Sequence, residues 1–296
     1  MRVFITGAAG FIGTATTKEL IANGHHVVGL ARSDANEEAL KEIGAQVHRG
    51  SLEDLDSLRK GAKETDGTIH CAFIHDFSKF AENGQIDKRA IEAMGDVLVG
   101  TNKPFIVTSG TALIAPGTVV TEDMRREAGE FMPRVSEQAG LAYAKRGVRA
   151  MAIRLPQVHG AAGKAGLITY LLEGARAKGA AAYVGDGRAR WAAGHVLDVA
   201  RVYRLALEKG AVDGIYHAVG EEGVPMRQII DVIGRALNVP VVSIKPEEAG
   251  EYFGPLAMFA GLDMPASGAL TQARLGWKPT QIGLIADIGQ PSYFAS

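Results

Sequence analysis

The chain opens with the stretch Met1-Arg-Val-Phe-Ile-Thr-Gly-Ala-Ala-Gly-Phe-Ile-Gly13, in which a short apolar strand leads into a glycine-rich turn and then a helical pattern. Gly7 permits the tight turn out of the strand, and Gly10 lets a phosphate approach the backbone without meeting a Cβ. Gly13 lets the helix pack closely on the strand, and the helix N-terminus offers free N–H groups and a positive dipole. The motif in this context predicts a dinucleotide site. We expect its cofactor contacts to come from Gly7, Ala9, Gly10, Phe11, Ile12 and Gly13.

The composition argues against several classes of partner. Among 296 residues, 32 Lys and Arg stand against 33 Asp and Glu, so no charge excess points to nucleic acid or an anionic membrane surface. The single cysteine, Cys71, excludes an internal disulfide, and its apolar neighbours predict a buried, unreactive thiol. No apolar stretch approaches a membrane span, and cleavage of a signal peptide would remove the glycine motif. We therefore expect a cytoplasmic protein with a small-molecule substrate, without nucleic acid or membrane as a partner.

Short apolar strands alternate with helical segments in the first half of the chain, which is typical of an α/β fold with a doubly wound parallel sheet, the Rossmann fold. The predicted strands here cover residues 3–5, 26–31, 46–48, 68–73, 104–108 and 149–155. The predicted helices cover residues 11–24, 36–43, 55–64, 86–98 and 125–145, the last interrupted near Pro133.

Beyond Gly160 the alternation loosens. The predicted strands there are 181–184 and 215–219, and the predicted helices are 166–178, 196–209 and 226–238. We interpret residues 1–160 as a dinucleotide-binding Rossmann core to which segments of 181–220 return. Residues 161–296 form mostly a smaller C-terminal α/β substrate lobe in this interpretation, with the active site in the cleft between the two.

The end of the second strand bears on the choice of cofactor. In dinucleotide folds an acidic residue there binds the adenosine ribose hydroxyls, and its charge would repel a 2′-phosphate. The chain instead has Ala31-Arg32-Ser33. Arg32 can bind a phosphate, with the hydroxyl of Ser33 beside it, so the sequence predicts NADP(H) rather than NAD(H). The alternative is that Arg32 is simply a solvated residue after a strand.

Further motifs follow along nearly the whole chain. They are Gly50-Ser51-Leu52, His70-Cys-Ala-Phe73, Val107-Thr-Ser-Gly-Thr111, Arg154-Leu-Pro-Gln-Val-His-Gly160, Gly185-Asp-Gly-Arg188 with His195-Val-Leu-Asp198, and Leu275-Gly-Trp-Lys-Pro279. Together they resemble the extended short-chain dehydrogenases/reductases, the NAD-dependent epimerase/dehydratase-like group that also contains dihydroflavonol-type reductases. The resemblance implies a homodimer through helices beside the middle of the sheet. It also implies cofactor contacts from Ser51, Leu52, Ala72, Phe73, Thr108, Pro156 and Val158.

The acid/base pair of that group is a tyrosine followed four residues later by a lysine. In the group the lysine stabilises the tyrosinate and holds the nicotinamide ribose, and the phenol donates the proton that accompanies hydride transfer. The resemblance places the pair near Gly129 and Pro133, and no tyrosine of this chain has a lysine four residues on. We therefore interpret the chain as an atypical member that uses another proton donor.

Four polar residues are candidates for the catalytic groups: Ser109, Thr111, His75 and Arg134. Ser109 and Thr111 end the fifth strand, where the group places a hydroxyl that binds the substrate carbonyl, although both hydroxyls also suit turn caps. His75 follows the fourth strand and titrates near neutrality, which suits a proton donor, whereas the alternative is an ordinary loop histidine. Arg134 is suited to orient an anionic or carbonyl substrate, or to pair with Glu130 on the helix surface.

The remaining histidines favour structural roles. His159 is expected to pack in its loop, and His195 to cap its helix or pack in the lobe, and the histidine spacing predicts no metal site. The sequence as a whole favours an NADPH-dependent oxidoreductase that reduces a carbonyl of a small, rather apolar substrate by hydride transfer. Two alternatives stay open: a sugar-nucleotide epimerase or dehydratase, and a non-catalytic NADP(H)-binding sensor or partner-binding protein.

Overall fold

The computed structural model describes residues 1–112, 114–125, 134–160 and 166–294. Its strands are β1 (Arg2–Thr6), β2 (His26–Ala31), β3 (Gln46–Arg49), β4 (Gly67–His70), β5 (Pro104–Gly110), β6 (Arg149–Leu155), β7 (Gln157–His159), β8 (Ala181–Val184), β9 (Arg190–His195), β10 (Gly214–His217), β11 (Glu221–Pro225) and β12 (Val241–Ile244). Its helices are α1 (Phe11–Ala22), α2 (Asp34–Glu42), α3 (Leu55–Lys63), α4 (Phe80–Leu98), α5 (Ser136–Leu141), α6 (Leu167–Lys178), α7 (Val196–Lys209), α8 (Met226–Leu237), α9 (Ala249–Phe253), α10 (Ala257–Ala260), α11 (Ala269–Leu275) and α12 (Leu284–Ile288).

Seven parallel strands form the central sheet in the order β3-β2-β1-β4-β5-β6-β10. The strand order reverses direction between β1 and β4, and ligands of open parallel sheets bind outside the carboxyl ends of the strands at such a switch point. The predicted α/β fold with a Rossmann-type parallel sheet is confirmed.

Both faces of this sheet are buried, as the continuous apolar strands require. Ile5 faces a core that includes Leu20 of α1, Leu40 of α2 and Tyr203 of α7. Phe4 faces the opposite core, which is closed by α3, α4 and α5. The alternation of these neighbouring side chains fixes the sheet between two layers of helices.

The C-terminal part builds a second, smaller unit around its own apolar cluster. β9 lies between β7, to which it is parallel, and β11, to which it is antiparallel, while β8 and β12 form a parallel pair. Between these strands the chain returns to the central sheet: β10 pairs with β6, and α7 packs against α1. No helix within the described residues is both long and apolar enough to cross a bilayer.

Several element boundaries depart from the sequence prediction. β4 ends at His70 rather than residue 73, because the next amides turn toward β1: the Cys71 N–H donates to the Thr6 carbonyl and the Ala72 N–H to the Thr6 hydroxyl. α4 begins at Phe80 rather than residue 86. β7, β9 and β11 were not predicted. Of the predicted helix 125–145, the described part is helical over Ser136–Leu141, and residues 126–133 lie outside the description.

Candidate active site

The glycine-rich turn has the geometry that its three glycines predict. Gly7 has φ +69°, and a Cβ added there would lie 2.8 Å from the Ala72 nitrogen. A Cβ at Gly13 would lie 1.9 Å from the Gly7 carbonyl oxygen, so only glycine allows α1 to approach β1 this closely. At Gly10 an added Cβ would approach the Gly7 carbonyl alone, at 3.2 Å, and otherwise face open space. The turn fits the pyrophosphate of a dinucleotide.

The first turn of α1 leaves its amides available to such a ligand. Gly10 is the N-cap residue, and no side chain caps the helix. Ala9, Phe11 and Ile12 are partly buried against the core cluster that also contains Val158. Uncapped N–H groups at a helix N-terminus suit an anion.

At the adenosine end the predicted residues have mixed environments. Arg32 is exposed at the end of β2, while the Ser33 hydroxyl caps α2 by accepting from the Asn36 amide. The Ser51 hydroxyl accepts from the amides of Glu53 and Asp54, and Leu52 packs against the core below it. Arg32 therefore stands open to a phosphate, whereas Ser33 and Ser51 already serve local structure.

At the carboxyl ends of β4 and β5 the structure brings together three residues that the sequence proposed separately. The guanidinium carbon of Arg134 lies 4.0 Å from the centroid of the Phe73 ring, and Nη2 of Arg134 donates to the Thr108 carbonyl at 3.0 Å. The His75 ring meets the Phe73 ring edge-on, with centroids 5.3 Å apart. Desolvation and the Arg134 charge lower the pKa of His75, although a backbone hydrogen bond at Phe73 opposes the shift, so its imidazole is mainly neutral near pH 7.

A buried polar network holds Arg134 in place. Its Nε donates to the Ser136 hydroxyl at 2.8 Å, and Ser136 donates to Oδ2 of Asp87 at 2.5 Å. Oδ1 of Asp87 accepts from Nε2 of His70 at 3.0 Å, and Nδ1 of His70 lies 2.7 Å from the Thr6 hydroxyl. Burial raises the pKa of Asp87, but His70, Arg134 and Ser136 outweigh it and leave the pKa below its usual value.

The two candidate hydroxyls at the end of β5 differ in availability. Thr111 is buried, and its hydroxyl lies 3.4 Å from the Leu155 carbonyl, to which its amide also donates. Ser109 is partly exposed, and no described residue forms a hydrogen bond with its hydroxyl. Ser109 is thus the better placed of the two to bind a ligand.

Thr108 faces the other side of β5. Its hydroxyl donates to the His70 carbonyl at 2.7 Å and lies 2.7 Å from the Tyr203 hydroxyl. Burial raises the pKa of Tyr203 well above its ordinary value, so the phenol stays protonated. Burial also raises the pKa of the nearby Cys71 thiol to about 11, which agrees with the predicted unreactive thiol.

The loop after β6 is fixed from the C-terminal segment. Nδ1 of His159 and the Tyr293 hydroxyl both bind Oδ2 of Asp287, at 2.7 and 2.5 Å, and the Tyr293 oxygen accepts from the Gly160 amide. Pro156 and Val158, at the start of this loop, are buried. His195 caps α7 through Nδ1, as predicted.

Sequence reasoning missed His70, Asp87 and Ser136 as members of the site. Ser136 and Asp87 stand 49 positions apart, so no local spacing signals their contact. The available signal was that Asp87 falls one turn before Ala90 and Ile91 on the apolar side of an amphipathic helix, because a buried carboxylate requires partners. The predicted tyrosine and lysine positions, 129 and 133, lie outside the described residues.

A model of the NAD dependent epimerase/dehydratase family matches residues 3–219, which span all seven strands of the central sheet. The chain belongs to the NAD-dependent epimerase/dehydratase family. The chain is 48% identical over 292 residues to the Saccharomyces cerevisiae protein YLL056C. The aligned residues cover 97% of this chain and 98% of that protein.

Other proteins similar to this chain carry named activities. A sterol-4-alpha-carboxylate 3-dehydrogenase (decarboxylating) of Dictyostelium discoideum is 28% identical over 243 residues, 76% of this chain and 73% of the relative. A 2-alkyl-3-oxoalkanoate reductase of Stenotrophomonas maltophilia is 25% identical over 261 residues, 82% and 77% of the two chains. The NAD-bound crystal structure of DesIV, a dTDP-glucose 4,6-dehydratase of Streptomyces venezuelae, has the same fold, with a TM-score of 0.77 at 20% identity over 99% of this chain and 96% of that chain.

Proposed function

We propose that this chain is an NADP(H)-dependent oxidoreductase that reduces a carbonyl group on a small, rather apolar substrate. The supporting observation is that Ser109, whose hydroxyl has no partner among the described residues, follows Thr108, whose carbonyl accepts from Arg134 at the carboxyl end of β5. The bound cofactor would supply a hydride to the carbonyl carbon. Ser109 would donate to the carbonyl oxygen and stabilise the negative charge that develops there, and Arg134 would orient the substrate.

The proton has two proposed sources near this oxygen, His75 and an ordered water. The lowered pKa of His75 makes its protonated form a stronger acid but a less abundant one near neutrality. Reduction should therefore become faster as the pH falls toward the pKa of His75, if that residue is the donor. If water is the donor instead, the wild type and a His75→Gln variant should reduce the substrate at the same rate, and neither rate should follow the titration of His75.

Two of the relatives support carbonyl chemistry by their names. The Dictyostelium relative is named for a dehydrogenase acting on a sterol carboxylate, and the Stenotrophomonas relative for a reductase acting on an oxoalkanoate. The DesIV fold also supports the alternative of a sugar-nucleotide epimerase or dehydratase. A screen of ketones, aldehydes and nucleotide sugars separates the two, because reduction consumes NADPH whereas epimerisation and dehydration leave the cofactor unchanged overall.

The proposed preference for NADP(H) rests on Arg32, which stands exposed at the end of β2 without an acidic residue in its place. We expect NADPH to bind wild-type protein more tightly than NADH does, and Arg32→Ala to weaken NADPH binding by about 10-fold or more, since hydrogen bonds between charged groups are strong. Arg235→Ala, at an exposed position of α8, is the control. Equal dissociation constants for NADH and NADPH in the wild type would refute the preference.

Binding of NADPH without turnover of any compound would favour the remaining alternative, a cofactor-binding sensor. The homodimer and the cytoplasmic location stay predictions. Sedimentation velocity of the purified protein tests the first of these.

A further inference from the structure

Two arginines of the core differ in how their charge is balanced. Arg154 is fully buried, and its guanidinium binds both carboxylate oxygens of Glu137, at 2.7 and 2.6 Å. Arg134 is only half-buried, and no carboxylate among the described residues lies within ion-pair distance of its guanidinium. The charge of Arg154 is therefore balanced by Glu137, whereas no carboxylate among the described residues balances the charge of Arg134.

The hydrogen bonds of Arg134 leave one edge of the guanidinium open. A guanidinium carries five N–H groups. Nε uses one on Ser136, Nη2 uses one on the Thr108 carbonyl, and the Phe73 ring covers one face. Both hydrogens of Nη1 and one of Nη2 have no acceptor among the described residues. The edge between Nη1 and Nη2 can bind two oxygens of a carboxylate through one N–H from each nitrogen.

The surrounding charges favour an anion at that edge. Both oxygens of Asp87, the carboxylate that faces Arg134, are already taken by His70 and Ser136. Tyr203 is a protonated phenol, and the Arg134 charge helps to lower the pKa of His75. Desolvation lowers the pKa of Arg134 itself, because a charge that leaves water is destabilised. A carboxylate ligand would offset that destabilisation.

We propose that the substrate is an oxo acid whose carboxylate is bound by Arg134 while its ketone lies at Ser109. This inference rests on the proposed reductase function. Arg134 binds the carbonyl of Thr108, the residue next to Ser109, and consecutive Cα atoms are about 3.8 Å apart. Because Arg134 and Ser109 contact neighbouring points of the same strand end, a carboxylate close to the ketone suits both groups. The substrate class that we propose is therefore a 2-oxo or 3-oxo acid with an apolar remainder.

The reaction balances without a further reactant. The C=O π bond is replaced by a C–H bond, formed with the hydride of NADPH, and an O–H bond, formed with a proton from the donor described above. The products are the hydroxy acid and NADP⁺. The carboxylate keeps its charge throughout, so Arg134 binds substrate and product alike.

The kinetic test compares 3-oxohexanoate with its ethyl ester. In the wild type we expect the KM of the acid to be lower by about 10- to 100-fold, the range expected for hydrogen bonds to a charged group. Arg134→Gln should abolish that difference, and Arg134→Lys should retain part of it. Arg146→Gln is the matched control, because Arg146 also stacks on an aromatic ring, that of Tyr143, but lies at the opposite end of β6.

A binding test does not depend on turnover. Titration calorimetry with 3-hydroxyhexanoate, in the presence of NADPH, which cannot react with the hydroxy acid, should give a dissociation constant that rises by a similar factor in Arg134→Gln and is unchanged in Arg146→Gln. If no oxo compound is reduced but this binding holds, the proposed reductase function fails and the carboxylate site stands. If ketones and the ester are reduced as well as the acid, and Arg134→Gln binds the hydroxy acid normally, the inference fails and the reductase function stands.

The other partner considered for Arg134 is Glu130. If that pair neutralises the guanidinium, Glu130→Gln and Arg134→Gln will lower the free energy of unfolding equally, and the double variant will lose no more than either single one. That result would overturn the proposal. Additive effects of the two substitutions support it.

Discussion

The hydroxyl of Ser136 donates to Oδ2 of Asp87 over 2.5 Å and accepts from Nε of Arg134 at 2.8 Å. This one hydroxyl therefore links a carboxylate on α4 to a guanidinium beside the end of β5. Because His70 holds the other oxygen of Asp87, the link reaches β4 as well. The position of Arg134 depends on groups that do not themselves face a ligand.

Replacing Asp87 by asparagine tests this dependence. Asparagine can accept from His70 or from Ser136 but not from both, and the negative charge is lost. We expect the free energy of unfolding to fall by roughly 2 kcal/mol, the scale of hydrogen bonds to a charged group. On the proposed function, the KM of the oxo acid should rise while the affinity for NADPH changes little, because Arg134 loses its support.

Asp96→Asn is the matched control for that measurement. Asp96 also binds a hydroxyl and a guanidinium, those of Tyr143 and Arg146, but its side chain is 55% exposed. Surface ion pairs contribute about 1 kcal/mol at most. Urea unfolding of both variants should rank Asp87→Asn as clearly the more damaging, and equal losses would contradict a special role for the buried network.

The two hydroxyls at the end of β5 should respond differently to substitution. Ser109→Ala removes the open hydroxyl, and we expect kcat to fall by roughly 100-fold, as for loss of one donor to a developing oxyanion. Thr111→Val should lower stability by about 1 kcal/mol, because it leaves the Leu155 carbonyl with one partner fewer, and should leave kcat largely intact. Steady-state kinetics and urea unfolding of the two variants test these roles. A larger loss of kcat in Thr111→Val than in Ser109→Ala would assign the substrate-binding hydroxyl to Thr111 instead.

Gly13→Ala tests the close packing of α1 on β1. The new methyl group would lie 1.9 Å from the Gly7 carbonyl oxygen, so the helix or the turn must move. We expect a loss of about 1–3 kcal/mol, typical of overpacking, together with weaker NADPH binding. Gly174→Ala, in the middle of α6 with no atom within 4 Å of the added Cβ, should instead gain up to about 1 kcal/mol from helix propensity.

Acid should destabilise the protein through His217. Its ring lies between Nη1 of Arg154, at 3.2 Å, and the Ser267 carbonyl, at 2.8 Å, and burial lowers its pKa from 6.5 to about 4. The unfolded chain therefore binds the proton more readily than the folded one. The contribution of His217 to the free energy of unfolding is fully present above pH 6.5 and is lost as the pH falls from 6.5 to about 4. Below about pH 4 this residue causes no further loss.

The expected loss over this interval is about 3 kcal/mol, since each tenfold change in proton affinity corresponds to about 1.4 kcal/mol. Urea unfolding at pH 7 and pH 4.5 measures it. His217→Gln should have a shallower pH dependence than the wild type, since the carboxylates that also titrate in this range are common to both. Parallel curves would show that His217 does not titrate on unfolding.

Sequence patterns predicted the elements of the core well where the local signal and the tertiary packing agree. β2 and β6 are mostly apolar strands with buried central residues, and the structure has them at the predicted bounds. α4 starts earlier than predicted. The Asn83-Gly84 pair is typical of a turn when read alone, but in the structure both residues are buried inside the helix. The Asn83 amide there donates to the Asp76 carbonyl.

Predictions failed where tertiary partners alone create the structure. β9 reads Arg-Trp-Ala-Ala-Gly-His, and its small residues carry no strand signal, yet pairing with β7 and β11 makes it a strand. The site shows the same division. The glycine turn follows from local spacing, whereas Asp87 and Ser136 come together through the packing of α4 against α5.

The return of the chain to β6 has a consequence for biosynthesis. The outer edge of β6 is covered by Gly214–His217, which lies beyond β7, β8 and β9 in the chain. On the ribosome, a nascent chain that has emerged only as far as residue 160 therefore carries an unpaired strand edge, which invites association with other chains. The core cannot reach its final state before much of the C-terminal part has been translated, so the two parts should unfold together and resist separation by truncation.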